Sequence, residues 1–321
     1  MKPKILVTRQ VFPEVVASLS ASFEVDHNAG DDIMSADALR TRAAGCAGVM
    51  ACLTERIDAA FFDACPTVKV VSNIAVGFNN IDVAEATKRG VKVTNTPGVL
   101  DDTTADLTFA LLMAAARRIT ETERRLRNGE WKKGFALQQW LGTDIHHASL
   151  GIIGMGRIGQ TIARRASGFE MKVSYHNRTP LDAATEAKLN VAWASKDDIL
   201  RDSDFVVVMV PYSPATHHLI KAEDLALMKP SAILINTARG GVVDDLALIA
   251  ALKEKRIAGA GIDVFEGEPA LNAEFLTLDS VALTPHIGSA TQATRLRMAN
   301  LAAQNLSIGL SGGTPPNLVN P

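Results

Sequence analysis

Short apolar runs alternate along this chain with stretches whose apolar residues recur at helical spacing, a pattern that predicts parallel sheets joined by crossover helices. Five candidate strands come first, at residues 5–8, 23–26, 48–51, 68–72 and 91–94. Six more follow, at 149–153, 172–175, 205–210, 232–236, 259–263 and 280–283. The first set makes a complete small α/β domain, and the second has the strand count of a larger doubly wound sheet. Between them lies TTADLTFALLMAAARRI, preceded by Asp101 and Asp102 as helix caps and apolar on nearly every face over 107–116. Such a helix must be covered all round, by both domains and by a second subunit. A last helical pattern, over 289–310, carries Met298, Leu301, Leu306 and Leu310, stops at Gly312 and Gly313, and is expected to return to the first domain.

The stretch 150–169, LGIIGMGRIGQTIARRASGF, places three glycines between an apolar strand and a helix of small residues. Gly154, Gly156 and Gly159 fit G-x-G-x-x-G, in which the first glycine makes the tight turn, the second admits a pyrophosphate and the third lets the helix pack on the strand. The free N–H groups of the helix start then face the phosphates. This sets a dinucleotide domain at 99–287, inserted in a substrate domain formed by 1–98 and 288–321. The predicted class is α/β: two doubly wound parallel-sheet domains, a Rossmann cofactor domain inserted in a flavodoxin-like one.

With 321 residues, 47% apolar and 21% charged, the chain is long enough for two ordinary cores. Its formal net charge of −2 argues against nucleic acid or an anionic membrane as partner. The start, MKPKILVTRQVFPE, lacks the apolar core of a signal peptide, and no apolar run approaches a membrane span, so the expected location is the cytoplasm. Cys46, Cys52 and Cys65 have neither C-x-x-C spacing nor a histidine cluster and read as buried free thiols; no metal site is expected.

Four segments fall at C-terminal ends of candidate strands, where parallel sheets place their ligands. In NIAVGFNNID, Val76 and Gly77 can aim backbone N–H groups at a carboxylate; a plain turn capped by Asn79 or Asn80 is the alternative. In INTARGGVVD, Arg239 can grip a carboxylate in bidentate fashion, against the alternative of a solvated arginine beside a turn. GIDVFEGEP holds Asp263, Glu266 and Glu268, and TPHIGSAT holds His286. A lone histidine is more often structural than catalytic, but a neighbouring buried carboxylate favours the imidazolium and so a proton donor near neutral pH.

With NTPGVL (95–100), GTDIHHASLGIIGMGRIG (142–159), NTARGG, GIDVFEGEP and TPHIGSAT in this order, the chain resembles the D-isomer-specific 2-hydroxyacid dehydrogenase family over essentially its whole length. Within it, the glyoxylate/hydroxypyruvate reductase and 2-ketogluconate reductase branch is the most similar. The resemblance implies that Arg239 binds the carboxylate and carbonyl of a small 2-oxo acid, that His286 protonates the developing alkoxide, and that Glu268 orients the imidazole. It further implies a carboxylate cradle at Val76 and Gly77, a pocket wall at Leu53, a tryptophan lid donated to a partner subunit at Trp140, and a homodimer. Trp131 and Trp193 read as packing residues. Two alternatives stand beside this reading: another dehydrogenase of the family, such as one using phosphoglycerate, for which a chain ending at Pro321 leaves no regulatory domain, and a nucleotide-sensing corepressor-like protein.

For the cofactor, the position that carries Asp or Glu in NAD-specific folds reads YHNRTP, with Asn177, Arg178 and Thr179. No carboxylate stands there to repel a 2′-phosphate, and Arg178 with Thr179 can bind one, so NADPH is the preferred cofactor, with NADH a second acceptable one. Backbone at Arg157 and Ile158 is expected at the pyrophosphate, and Val210, Pro211 and Thr237 along the adenosine or nicotinamide. By the resemblance Asp263 lies near the nicotinamide carboxamide, and Thr104, Ala238 and Gly288 complete the set.

Overall fold

The β-branched runs of the first hundred residues form a five-stranded, all-parallel sheet in the computed structural model, which describes residues 1–321. Its strands are β1 (Lys4–Val7), β2 (Glu24–His27), β3 (Gly48–Ala51), β4 (Val70–Asn73) and β5 (Lys92–Thr94). Their order, β2-β1-β3-β4-β5, is the flavodoxin-like one. Because side chains alternate along a strand, Leu6, Val49 and Val71 point to one face, where Phe61 and Phe62 meet them. Ile5, Val7, Met50 and Val70 point to the other, onto Ala299, Ala302 and Leu306 of the helix Gln292–Leu310. That helix sits close because Gly48 has no side chain: a Cβ there would fall 2.8 Å from a Leu306 methyl. Met1–Leu100 and Ala290–Pro321 together form one compact unit.

Asp101–Ser289 forms the other. Its strands are β6 (Ser149–Ile153), β7 (Lys172–His176), β8 (Val191–Trp193), β9 (Phe205–Val208), β10 (Ile233–Asn236), β11 (Gly259–Ile262) and β12 (Val281–Leu283). They pair in the order β12-β11-β10-β9-β6-β7-β8, all parallel. Counted from β6 this is 3-2-1-4-5-6-7, the Rossmann order with a seventh strand. The expected count of six omitted β8, a three-residue edge strand with Ala192 and Trp193 exposed, too short for alternation to show.

The apolar helix spans Asp101–Ala116, so Asp101 and Asp102 lie in its first turn, where their charge suits the helix dipole, rather than before it as caps. Ala105, Phe109, Leu111 and Leu112 are buried against β10, β11 and the helix Arg157–Ala166, while Leu107 and Met113–Ala115 stay half-buried and Ala110 exposed. Gly261 of β11 makes this approach feasible, since a Cβ there would meet Leu111 at 3.1 Å. No helix is long and apolar enough to cross a membrane, and Cys46, Cys52 and Cys65 are free, the first and last buried and Cys52 half-buried.

Candidate active site

The glycine loop leaves β6 and enters the helix Arg157–Ala166. Gly154 has φ +110°, and a Cβ on it would stand 2.3 Å from the Met209 carbonyl oxygen, with a Val210 methyl next. At Gly159 a Cβ would stand 2.3 Å from the Gly154 carbonyl. Gly156 differs, because nothing lies within 4 Å of where its Cβ would be. Two glycines are therefore required by the fold itself, and the middle one faces open space that a side chain would fill. As N-cap it offers no side-chain oxygen to the first helical N–H groups, at Arg157 and Ile158, which are left to an anion. This cradle fits a dinucleotide pyrophosphate.

At the end of β7, Asn177 is tied down twice: its Oδ1 accepts the Met155 N–H at 2.7 Å, and its carbonyl accepts the indole N–H of Trp193 at 3.0 Å. Only its amide nitrogen is left for a ligand. Arg178 and Thr179 are exposed, and Arg178 makes no ion pair. Trp193, 44% exposed, packs its ring against His176 with centroids 5.9 Å apart and fastens β8 to this turn. Trp131, 53% exposed, donates to the Gly134 carbonyl.

Arg239 follows β10. Its Nη1 donates to the Ala238 carbonyl at 2.7 Å, while its Nε is buried with no hydrogen-bond partner. Burial pulls the guanidinium down from its usual value, opposed by the charges of Glu268 and Asp263. A buried donor without an acceptor is costly and marks a place for an anionic ligand. The next residue, Gly240, lets the loop after β11 approach: a Cβ there would stand 1.8 Å from the Phe265 carbonyl oxygen.

In that loop, Glu268 accepts the Phe265 N–H at 2.8 Å through Oε1 and meets His286 Nδ1 at 2.7 Å through Oε2. Burial pushes the Glu268 carboxyl up, but the hydrogen bond and charge of His286 outweigh it and hold the group below the usual carboxylate range. With Nδ1 engaged, the free ring nitrogen of His286 is Nε2. His286 itself has φ +52°, a left-handed conformation a side chain avoids unless its surroundings fix it. Here they do: its N–H donates to the Asp263 carbonyl at 2.8 Å, and the Asp263 carboxylate accepts from Thr284 Oγ1 at 2.6 Å, Ile287 N at 2.8 Å and Gly288 N at 2.9 Å. Burial raises the Asp263 carboxyl above its ordinary value against these bonds. Thr104 and Asp263 both border Gly288, and Thr237 is bonded to Thr108 at 2.7 Å beside Ala238. Val210 and Pro211 follow the end of β9 at Val208, not inside a strand reaching residue 210.

In the other unit, the carbonyls of Val76 and Gly77 are held by the side-chain amides of Asn95 and Asn73, each at 2.8 Å, while their own N–H groups carry no intramolecular partner. The cap of the helix that follows is Asp82, not Asn79 or Asn80; Asn80 instead bonds the Cys52 and Glu55 carbonyls. Leu53 sits in the turn after β3, where the buried Glu55 accepts from Thr8, Cys52 and Thr54. Trp140, half-buried with φ +55°, precedes residues 141–143, which border the starts of β10 and β12, the sheet edge opposite the Arg239, Glu268 and His286 loops. One chain does not bring it to them.

Sequence reasoning missed Asn73, Asn95, Glu55 and Asp245. Each bonds a backbone atom, Asp245 accepting the Glu266 N–H at 3.0 Å and Glu55 two hydroxyls besides the Cys52 N–H, a role no spacing announces. Position just beyond a strand end, or at a helix start, was the only available signal.

A Rossmann sheet with an open glycine cradle, and an arginine, a carboxylate and a histidine on adjoining strand-end loops, define a nicotinamide-dinucleotide-dependent oxidoreductase. The comparisons narrow the class. Residues 109–288 match the model of the D-isomer specific 2-hydroxyacid dehydrogenase NAD-binding domain. Over 324 residues the chain is 50% identical to the glyoxylate reductase of Pyrococcus horikoshii, covering 100% of this chain and 96% of that one, and it is 48% identical over 323 residues, with the same coverage, to that of Thermococcus onnurineus. Among solved structures, the NADPH-dependent glyoxylate/hydroxypyruvate reductase of Sinorhizobium meliloti in complex with NADP and malonate superposes with a TM-score of 0.87 at 33% identity, covering 99% of this chain and 97% of that one. The chain belongs to the D-isomer specific 2-hydroxyacid dehydrogenase family.

Proposed function

We propose that this chain is an NADPH-preferring reductase acting in the cytoplasm on small 2-oxo acids, with glyoxylate and hydroxypyruvate as leading substrates and 2-ketogluconate after them, giving D-2-hydroxy acids. The observation that carries the reading is the pairing of an orphaned, buried Arg239 Nε with a 2.7 Å Glu268–His286 contact. The named relatives, which are glyoxylate reductases, support the substrate class.

In this reading the unit Asp101–Ser289 holds the cofactor and the unit of β1–β5 contributes the substrate contacts Val76, Gly77 and Leu53. Arg239 takes the substrate carboxylate on its fork and, through Nε, draws electron density toward the carbonyl oxygen. Reduced nicotinamide, when bound, supplies the hydride that adds to C2. His286 gives its Nε2 proton to the oxygen that becomes the hydroxyl, and Glu268, bonded to Nδ1, keeps the ring in place. Asp263 holds the His286 loop through its carboxylate and carbonyl and, in this reading, lies near the nicotinamide carboxamide. Orientation of proton donor, cation and acceptor is the main contribution of these residues. Exposed Trp131, Phe135, Leu137 and Leu141 support a homodimer, with Trp140 acting on the partner's substrate.

The preference for NADPH rests on the unpaired Arg178 and the absence of a carboxylate at 177–179. Arg178→Ala should raise the Kd for NADPH roughly 10- to 100-fold, the loss of one charge-assisted phosphate contact, and that for NADH less than threefold. Equal losses for both would remove the 2′-phosphate assignment. Substrate class is tested by loss of nicotinamide absorbance with NADPH and NADH in parallel. Turnover is expected with glyoxylate and hydroxypyruvate, and silence with all three acids despite NADPH binding would overturn the reading.

A further inference from the structure

The loop that carries Glu268 does not support itself. Glu266, two residues before Glu268, donates its backbone N–H to Asp245 Oδ2 at 3.0 Å, and its own carboxylate pairs with His218 Nε2 at 2.7 Å. Asp245 opens the helix Asp245–Lys253, a position where a carboxylate ordinarily serves the helix dipole. That service is already given by Asp244, whose Oδ1 accepts the Ala247 N–H at 3.0 Å. Asp245 is instead turned off its helix, only 6% exposed, and spends its acceptor on the neighbouring loop. Burial pushes its carboxyl up to about 6, raised further by Glu266 and Asp244 and lowered by the Glu266 N–H and by His218, so the fold keeps this group against a penalty. From Glu266 the connections run directly to chemistry: Phe265 N–H to Glu268 Oε1, Glu268 Oε2 to His286, and the Phe265 carbonyl against Gly240 beside Arg239.

We propose that Asp245 is a positioning residue: by holding the Glu266 amide it fixes the loop Asp263–Glu268 and so sets the Glu268–His286 pair relative to Arg239. The inference rests on the reduction reading for its kinetic consequence, but not for its structural one. Without the acceptor the loop relaxes by a fraction of an ångström to about an ångström, a misplacement that costs on the order of 10- to 100-fold in rate.

The test uses the full-length protein with NADPH. Asp245→Ala, and Asp245→Ser as a second variant whose short hydroxyl suits a helix start but falls short of Glu266, should each lower kcat about 10- to 100-fold, with the Kd for NADPH and the KM for the oxo acid within about threefold of the parent. Asp245→Asn, whose amide oxygen still accepts the N–H, should restore kcat to within about threefold. A role confined to folding would move melting temperature and leave kcat alone, so a folded Ala or Ser variant with kcat within twofold of the parent overturns the proposal, as does an Asn variant no better than Ala. In parallel, the His286 Nδ1–H proton resonance should shift in the Ala and Ser variants and stay in place in Asn. If the parent reduces none of the oxo acids, the reduction reading fails while this resonance still decides the positioning role; an unmoved resonance in Ala and Ser overturns it.

Discussion

Replacing Gly156 by alanine adds one methyl group at the middle of the glycine loop, where the structure separates folding from cofactor binding. At φ −79° and ψ −160° the residue lies in backbone space open to any L-residue, and nothing stands within 4 Å of the added carbon. Alanine restricts the unfolded chain, a gain of about 0.4–1 kcal/mol. It is also a poorer N-cap than glycine by a comparable amount. Stability of the cofactor-free protein should therefore change by less than about 1 kcal/mol. Binding should not survive so well: the methyl occupies the space through which a pyrophosphate reaches the N–H groups of Arg157 and Ile158. Loss of one charge-assisted hydrogen bond, about 1.5–3 kcal/mol, corresponds to roughly 10- to 100-fold in Kd. Gly154→Ala is the contrasting control. Its φ of +110° and the Met209 carbonyl at 2.3 Å combine backbone strain with overpacking, about 3–5 kcal/mol together. Calorimetric melting without cofactor, with NADPH titrated by tryptophan fluorescence, reads both quantities. A Gly156→Ala protein that melts like the parent and binds NADPH within threefold of it would refute the cradle.

Two further outcomes follow from buried charges. Arg239→Ala should lower kcat/KM on the order of 10³-fold through both terms, and Arg239→Lys should not rescue it, because a single ammonium replaces the fork and the Nε donor; steady-state kinetics that show a competent lysine variant would remove the bidentate role. For Asp245, the native protein keeps the proton up to about pH 6 whereas the unfolded chain releases it near 3.8, so stability falls as pH rises through that window and stays lower above it. The full shift corresponds to about 3 kcal/mol, and about 1–2 kcal/mol once solvent screening is allowed for. Asp245→Asn should melt higher than the parent at pH 7 and equal to it below pH 4; a gap that does not grow with pH would contradict the burial argument.

The two parallel sheets were legible in the sequence because fully buried strands such as Phe205–Val208 and Ile233–Asn236 are continuous apolar runs between helical patterns. Strand Val191–Trp193 was not, since an edge strand of three residues with two exposed side chains has no periodicity to read. The three glycines were equally visible as a motif with a separate job for each, and the structure adds the distances: a Cβ would clash with backbone at Gly154 and Gly159 and meets open space at Gly156. Arg239, Glu268 and His286 stood out as reactive residue types at strand ends. Asp245, Asn73 and Asn95 did not, because each acts on a backbone atom, Asp245 and Asn95 on one about 20 residues away and Asn73 on one within its own turn, and such a pairing is a property of the folded loop alone. Trp193, expected to pack, does so on His176 at an exposed edge, and the indole N–H it places at the Asn177 carbonyl was not legible.

In the proposed NADPH-dependent reduction, His286 is the proton donor. NADPH consumption with glyoxylate, followed for the parent and for His286→Ala side by side at saturating cofactor, tests this directly. Turnover by the parent, a loss of about 10²- to 10⁴-fold in the variant, and unchanged NADPH affinity are the predicted result. A variant that reduces glyoxylate at the parent's rate would contradict it.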